Sequence, residues 1–182
     1  MSAPLDFRLT LYPDPLLRKV SSPVVAFDAD LVATVRAMFE LMYRSRGVGL
    51  AAPQAGLDLR ILVANPAGEP EKSYEELVLI NATILDRSGP VTLYEEGCLS
   101  FPQIYAEVKR PERCKVAYQD LSGQRIEREF EGFASRVVQH EYDHLEGVLL
   151  VDRMSPADKL RHKLALAELV ETYKRNRAGA RT

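Results

Sequence analysis

The sequence predicts an α+β fold, in which mixed or antiparallel β-sheets pack around a central helix, with an N-terminal helix and a C-terminal helix. Two observations predict this class. Short apolar runs lie together in the middle of the chain, and segments of helical periodicity lie before and after them. The regular strand–helix alternation that indicates a parallel sheet is not seen. A length of 182 residues fits one domain, so residues 1–182 are expected to form a single unit.

The first predicted element is a helix over Val24–Arg46. Its apolar residues recur at helical intervals and are Leu31, Val35, Met38 and Met42. Asp28 or Asp30 is available as the N-cap, and Gly47 and Gly49 mark the end of the helix.

A β-rich region follows this helix. Three short apolar runs bounded by turn-forming residues are predicted as strands, namely Arg60–Ala64, Leu77–Asn81 and Val91–Tyr94. The polar stretch Ala67–Glu76 is predicted to be an exposed loop. Residues 114–119 and 124–130 are predicted to form a hairpin around Asp120–Gly123. Its alternating apolar positions are Val116, Tyr118, Ile126 and Phe130.

Two further helices are predicted towards the end of the chain. The central helix of the fold covers about Phe133–Glu146 and is expected to end at Gly147. The C-terminal helix, about residues 156–177, begins at Ser155-Pro156, a capping residue followed by proline. Its apolar positions are Leu160, Leu164, Leu169 and Tyr173.

Composition narrows the class of function. The 24 Lys and Arg residues and 26 Asp and Glu residues give a net charge of −2, so sequence-specific nucleic acid binding is not expected. No apolar run approaches the roughly 20 residues of a membrane span, and no secretory signal is visible. Two cysteines exclude a disulfide framework. A cytoplasmic location is expected, or an organellar matrix if a transit peptide has been removed.

A His-Glu-x-x-His motif lies in the predicted central helix. His140 and His144 are slightly more than one turn apart, so both imidazoles project from one face of the helix. Such a pair suits a divalent transition metal, and the adjacent Glu141 is placed to handle a proton on metal-bound water. The motif therefore predicts a metal-binding helix. The alternative is a surface helix in which the two histidines have no function.

The third ligand decides the class of metal enzyme. A metzincin requires glycine and then histidine downstream, and Leu150 stands at that histidine position although Gly147 fits. A gluzincin uses a glutamate on a following helix, for which Glu168 and Glu171 are available, although both equally suit a solvated helix face. The preferred candidate is upstream, at Cys98.

Cys98 directly follows a predicted strand, and the neighbouring Gly97 permits a tight backbone there. The thiol can therefore point out of the sheet towards the helix. A lone cysteine is more usually an inert core residue. That role is expected for Cys114, which lies within a predicted strand and has no glycine neighbour.

A glycine- and alanine-rich segment, Gly47–Gln54, is the third motif. Its small residues let the backbone approach a ligand closely, and Gln54 supplies one amide donor and one acceptor. A phosphate-binding loop is disfavoured, because no Lys-Ser/Thr pair follows the glycines and the segment comes after a helix. A plain helix-to-strand turn remains the other interpretation.

The three motifs, in this order, resemble those of the peptide deformylase family. The family has a glycine–alanine loop ending in glutamine, a Glu-Gly-Cys-Leu-Ser segment and a Gln-His-Glu-x-Asp-His helix. These match Gly47–Gln54, Glu96–Ser100 and Gln139–His144. The resemblance covers about Leu11–Met154. It implies a hydrolase that removes the N-formyl group from the N-terminal formylmethionine of newly synthesised polypeptides, through a metal-bound water and a glutamate that acts as general base and acid.

The resemblance also implies the metal site. Cys98, His140 and His144 are the matching ligands of one divalent ion, natively Fe²⁺, for which Zn²⁺, Ni²⁺ or Co²⁺ can substitute. Glu141 matches the general base and acid.

Other matched residues have implied roles around this site. The Gln54 amide and the Leu99 backbone N–H correspond to the donors that meet the oxyanion. Glu96 and Arg110 correspond to a pair that braces the metal loop. The residues implied for substrate binding are Val48, Gly49, Gly97, Phe133 and Val137.

Two positions depart from the family pattern. Arg136 stands where bacterial relatives often have an aliphatic residue, and it is expected either to narrow or polarise the pocket or to turn outward to a carboxylate. Tyr105 stands where some relatives have arginine near the peptide-binding strand. His162, between two basic residues, is expected to be a solvated surface residue.

Two other functions are consistent with the metal motif. A zinc endopeptidase requires a carboxylate third ligand such as Glu168 and does not need Cys98. A catalytically silent metal-binding or ribosome-associated module needs neither Glu141 nor Gln54.

The basic C-terminal end has two interpretations. Lys174–Arg177, with Arg181 beyond it, is expected from the family to make a transient ribosome contact, since cations attract RNA phosphates. The alternative is a solvated helix end whose cations complement the helix dipole.

Overall fold

Residues 5–179 of the chain are described by the structure, which is a computed structural model. Five strands form one antiparallel sheet, and their order in the sheet follows their order in the chain. The strands are β1 (Gly49–Ala51), β2 (Ile61–Ala64), β3 (Leu77–Cys98), β4 (Phe101–Gln119) and β5 (Arg125–Glu131). The helices are α1 (Ala29–Arg44), α2 (Gly132–Leu145), α3 (Leu150–Arg153), α4 (Pro156–Arg161) and α5 (Lys163–Gly179). The predicted α+β class is confirmed, with the antiparallel type of sheet.

The first helix is shorter than predicted, since α1 begins at Ala29 and not at Val24. The Asp28 side chain accepts hydrogen bonds from the backbone N–H groups of Asp30 and Leu31, so Asp28 is the cap of the two predicted. The predicted apolar face is buried against β1 and β2, and its members are Leu31, Val35, Met38 and Met42.

The sheet contains one long strand where the sequence predicts two short ones. The predicted strands Leu77–Asn81 and Val91–Tyr94 are parts of the single strand β3, so the prediction of separate strands is wrong. The residues between them are mostly exposed, and the pairing with β4 shifts register between Ser88 and Val91. A bulge of this kind interrupts the apolar pattern without ending the strand.

The hairpin prediction is confirmed. β4 and β5 pair on either side of Asp120–Gly123, with Tyr118 opposite Ile126 and Cys114 opposite Phe130. The predicted loop at Ala67–Glu76 contains a 3-10 turn over Pro70–Glu75.

The predicted central helix, α2, is buried against the sheet. Val138 and Leu145 of α2 pack in one apolar cluster with Leu62 of β2, Leu79 of β3 and Val116 of β4. Gly147, just after the helix, has a φ of 69°, the left-handed conformation in which helices commonly end. The sheet and this cap therefore fix the position of the helix that carries the His-Glu-x-x-His motif.

The predicted C-terminal helix is interrupted. α4 begins as predicted, with the Ser155 side chain accepting from a backbone N–H and Pro156 at the first position. It ends at His162, and α5 follows, so the prediction of one continuous helix is wrong. The short α3 was not predicted, because four residues leave too little periodicity. None of the helices described within residues 5–179 combines the length and apolar character needed to cross a bilayer.

Replacement of Met38 by Ala is predicted to destabilise the fold. The Met38 side chain is 0% exposed where α1 meets the sheet. Truncation leaves a cavity, so the free energy of unfolding should fall by about 2–5 kcal/mol in urea denaturation. Val32→Ala is the matched control, because Val32 lies on the same helix and is 37% exposed. Equal losses for the two variants would contradict the assigned core.

Candidate active site

The end of β3 and one face of α2 bring three potential metal ligands together. Cys98 is the last residue of β3, directly before the turn into β4. His140 and His144 lie one turn apart on α2, and their ring centroids are 5.3 Å apart. The Cys98 Sγ atom lies 3.2 Å from His144 Nε2, and one ligand atom from each residue lies within 4.8 Å of the others.

The chemistry of these donors fits a divalent transition metal. One thiolate and two imidazole nitrogens are common ligands of such ions, and three protein ligands leave a coordination position open. The His140 Nδ1 atom lies 2.9 Å from Glu96 Oε2, so the other ring nitrogen, Nε2, is free to bind an ion. Burial, together with the nearby His140, lowers the pKa of His144 well below its ordinary value, so this imidazole is neutral and can coordinate.

Glu96 is the centre of a buried polar network behind the ligands. Its carboxylate accepts hydrogen bonds from Arg110 Nε at 2.7 Å and Nη2 at 2.9 Å, and these form the bidentate pair that the family resemblance implies. It also accepts from Arg136 at 2.7 Å and from His140. Burial alone raises the pKa of Glu96, but the hydrogen bonds from His140 and Arg110 outweigh it and lower the pKa to about 2. Glu96 is therefore ionised at neutral pH.

Asp143 belongs to the same network, although the sequence analysis assigns it no role in the site. Arg110 NH1 donates to Asp143 Oδ2 at 2.9 Å, and Arg153 donates to both carboxylate oxygens at 3.0 and 2.6 Å. Its position inside the His-Glu-x-x-His motif was the available signal, since it lies three residues after His140 on the same side of α2.

Glu141 lies in a buried position next to the ligands. It is 4% exposed, and its Oε2 atom is buried without a hydrogen-bond partner among the described residues. A Cβ atom at Gly49 would lie 2.5 Å from Glu141 Oε1, so glycine is needed there to make room for the carboxylate. Burial raises the pKa of Glu141 to about 7. Such a carboxyl group can exchange a proton near neutral pH.

Gln54 closes another side of the site. Its Oε1 atom accepts from the Ala51 backbone N–H at 2.8 Å, which turns the amide Nε2 towards Cys98 Sγ at 3.5 Å and Ser100 Oγ at 3.3 Å. The segment Gly47–Gln54 is neither a phosphate loop nor a plain turn, because it contains strand β1 and continues into a 3-10 turn.

A cavity of about 690 Å³ opens onto these groups. All residues predicted to bind substrate line it, together with both residues predicted to meet the oxyanion: Val48, Gly49, Gly97, Phe133, Val137, Gln54 and Leu99. Tyr105 also lines the cavity, and its ring packs closely on Gly97, where a Cβ atom would approach it to 2.8 Å.

Several sequence expectations need correction. Arg136 does not turn outward, because it is 7% exposed and bonds to Glu96 inside the protein. His162 is not simply solvated, since its Nε2 atom lies 2.8 Å from the Tyr105 carbonyl oxygen. Glu168 and Glu171, by contrast, agree with the preferred interpretation of a solvated helix face, since both are exposed on α5 and lie outside the ligand cluster.

Cys114 is fully buried in β4, as expected for an inert core residue, and burial raises the pKa of its thiol. Among the described residues, the cluster suited to a metal ion thus contains Cys98 and not a carboxylate. A three-ligand cluster beside a buried glutamate in an open cavity is the arrangement of a metal-dependent hydrolase.

Comparison with known proteins identifies the family. The model of the polypeptide deformylase family matches residues 7–160. Peptide deformylase of Thermotoga maritima is 44% identical over 169 residues, which is 93% of this chain and 99% of that protein. The chloroplastic/mitochondrial peptide deformylase 1B of Arabidopsis thaliana is 45% identical over 163 residues, 88% of this chain and 59% of that protein. A plant peptide deformylase crystal structure matches with a TM-score of 0.91 and 41% identity, covering 97% of this chain and 95% of the other.

The chain belongs to the polypeptide deformylase family. The predicted family resemblance and the predicted enzyme class are therefore confirmed.

Replacement of Cys98 by Ser is predicted to impair metal binding. Cys98 supplies one of the three donor atoms. Even residues that only hydrogen-bond to a metal ligand contribute about 10–100-fold to metal affinity, so loss of a ligand itself should weaken it by more than about 100-fold. Titration of metal-free protein with Zn²⁺ against a competing chelator measures this. Cys114→Ser is the matched control, because Cys114 lies outside the cluster. A Cys98→Ser variant that retains affinity would favour a site with a carboxylate ligand, as in an endopeptidase.

Proposed function

We propose that this protein removes the N-formyl group from the formylmethionine at the N-terminus of newly synthesised polypeptides and releases formate. The observation that carries the proposal is the placement of the buried Glu141 carboxylate next to the cluster of Cys98, His140 and His144, with Glu141, Cys98 and His140 lining one open cavity. The expected substrates are nascent formyl-Met chains. Release of formate from a formyl-Met peptide, with and without prior chelation, tests the activity directly.

Cys98, His140 and His144 hold the ion in this proposal, and Fe²⁺ is proposed as the native metal, with Zn²⁺, Ni²⁺ or Co²⁺ able to replace it. When bound, a divalent cation lowers the pKa of water from 15.7 towards about 7 and polarises the carbonyl group. Cys98 and His140 line the cavity, which gives the formyl group access to the ligand cluster.

Glu141 handles the proton in this reaction. Its unpartnered Oε2 accepts the proton of the attacking water, and the protonated carboxyl group then passes it to the leaving amine. Burial supports both steps, because it raises the pKa of Glu141 to about 7 and so brings the two protonation states close in free energy.

Gln54 and the Leu99 backbone N–H meet the oxyanion that develops on the formyl oxygen. Support for Gln54 comes from its fixed orientation, since the hydrogen bond from Ala51 to Oε1 leaves the Nε2 donor directed at the ligand cluster. Donors held in place before the reaction stabilise the transition state more than mobile water does.

The apolar wall of the cavity receives the methionine side chain. Val48, Leu99, Phe133 and Val137 line the cavity, and the proposal places the methionine side chain between the first two and the two residues of α2. Gly49 and Gly97 also line the cavity, and each makes room for a side chain there, Gly49 for the Glu141 carboxylate and Gly97 for the Tyr105 ring.

A transient ribosome contact through the C-terminal end is part of the proposal. α5 has no fully buried residue, and Lys174, Arg175 and Arg177 are exposed on it, while Arg181 lies outside the described residues. Deletion of residues 174–182 should reduce co-sedimentation with ribosomes. We keep the cytoplasm as the expected location, with an organellar matrix as the alternative.

Replacement of Glu141 by Gln is predicted to lower kcat/KM by about 10²–10⁴-fold without loss of metal, because the amide cannot accept the proton. In the wild type, activity should fall as the pH is lowered through the pKa of this carboxyl group, since only the ionised form is a base. Burial places that pKa above the ordinary 4.5. A bound cation lowers it again, so the acidic limb of the pH profile should lie between 4.5 and about 7.

Glu171→Gln is the matched control for this variant. It removes the carboxylate that a gluzincin site would need, but Glu171 is exposed and pairs with Lys174. Loss of activity in this control, or full activity in Glu141→Gln, would overturn the assignment of Glu141.

Replacement of Gln54 by Ala is predicted to reduce kcat by about 10²–10³-fold, the usual effect of removing one oxyanion donor. Bound metal, measured by elemental analysis, should stay at the wild-type level. Gln124→Ala is the control, because Gln124 is exposed in the β4–β5 turn. Unchanged turnover with intact metal would remove Gln54 from the mechanism.

A further inference from the structure

Arg136 makes an unusual set of contacts for a residue in the wall of the cavity. Its NH1 group donates to Glu96 Oε1 at 2.7 Å and to the Val108 carbonyl at 3.1 Å. Its NH2 group donates to the Thr92 carbonyl at 3.0 Å and to Thr92 Oγ1 at 2.9 Å. All four terminal N–H groups of the guanidinium are therefore used. The Tyr94 ring lies against it, 5.4 Å from the ring centroid to the guanidinium carbon.

These contacts complete the coordination of the Glu96 carboxylate. Oε1 accepts from Arg110 and Arg136, and Oε2 accepts from Arg110 and His140, at distances of 2.7 to 2.9 Å. A carboxylate has about four acceptor positions, so none is left free. With both oxygens occupied from two directions, the carboxylate has a single orientation.

Arg136 and His140 hold the same carboxylate from the same helix. They are four residues apart on α2, so their side chains lie on one face, and both reach Glu96 on β3. The contacts form a closed ring, in which Arg136 and His140 both bond to Glu96 and are joined to each other by one turn of α2. Glu96 thus cannot rotate away from His140 Nδ1 unless the bond to Arg136 breaks.

Arg110 does not supply this constraint by itself. Its guanidinium is shared between Glu96 and Asp143, and it comes from β4 and not from the helix that carries the ligands. Arg136 is anchored independently on β3 through Thr92 and on β4 through Val108. It therefore fixes the distance between α2 and both strands at the level of the carboxylate.

We infer that Arg136 is a positioning residue of the proposed metal centre, which acts on His140 through Glu96. It holds the carboxylate in the orientation in which Oε2 accepts the Nδ1 proton, and this leaves His140 Nε2 directed at Cys98 and His144. The inference depends on one part of the proposed function, namely that Cys98, His140 and His144 bind a metal ion.

The test compares Co²⁺ binding by metal-free wild type, Arg136→Met and Arg136→Lys. Loss of a hydrogen-bond partner behind a metal-bound histidine typically weakens metal affinity about 10–100-fold. We expect a loss of this size in the Co²⁺ affinity of Arg136→Met, measured by competition with a chelator. The absorption spectrum of Co²⁺ bound to Arg136→Met should also change, because the His140 ring is no longer held in one orientation. Arg136→Lys restores the charge but reaches fewer acceptors than the guanidinium, so it should recover part of the affinity.

Arg60→Met is the matched control for a general loss of stability. Arg60 also anchors α2 with a largely buried guanidinium, through the Tyr142 hydroxyl and the Glu146 carboxylate, but it does not contact Glu96. This control should keep the wild-type Co²⁺ affinity and spectrum. Wild-type affinity and spectrum in folded Arg136→Met would overturn the inference. Should Arg136→Met not fold, wild-type binding by Arg136→Lys would overturn it equally.

A second measurement separates this inference from the proposed function. In metal-free wild type, the His140 Nδ1 proton that is donated to Glu96 should give a slowly exchanging ring resonance in the ¹H NMR spectrum, and Arg136→Met should shift or lose it. Failure of the wild type to bind Co²⁺ would contradict the proposed metal centre alone. An unchanged ring resonance in Arg136→Met would contradict the role of Arg136 alone.

Discussion

The buried ion pair between Glu96 and its cationic partners is the interaction on which the rest of the site depends. A carboxylate taken out of water costs several kcal/mol unless it is paired and fully hydrogen-bonded. Here Glu96 comes from β3, Arg110 from β4, and Arg136 and His140 from α2. The requirement to satisfy one charge therefore fixes three elements relative to one another. The ligand-bearing helix takes its position from the same contacts that orient one of its histidines.

Glu141 is the opposite case, a carboxyl group for which the effect of burial outweighs the nearby charges of His140 and Arg110. Burial raises its pKa to about 7, and Gly49 provides the space for it at the cost of a side chain in β1. The pKa values of two carboxyl groups in the same site are thus shifted in opposite directions, so Glu96 is ionised at neutral pH and Glu141 is close to its neutral form. Environments that separate the pKa values of nearby carboxyl groups in this way are characteristic of catalytic sites.

The sequence predicts those parts of the structure in which local pattern and tertiary structure agree. The buried face of α1, the hairpin around Asp120–Gly123 and the positions of His140 and His144 follow from periodicity and turn chemistry. The continuity of β3 does not, because its middle is exposed and bulged and so carries no alternating signal. The buried position of Arg136 was also out of reach, since an arginine on an amphipathic helix shows nothing of its partners until β3 and β4 are in place.

The charge balance explains why the network uses two arginines. A single carboxylate behind a ligand would donate negative charge through the imidazole and reduce the effective charge of a bound cation. Arg110 and Arg136 compensate Glu96, so the carboxylate can orient His140 while its charge is offset. Burial keeps His144 neutral, and its Nδ1 atom has no hydrogen-bond partner among residues 5–179. In the proposed metal centre Cys98 would supply the anionic donor, and most of the charge of a bound cation would be left to act on water and the oxygen of the substrate.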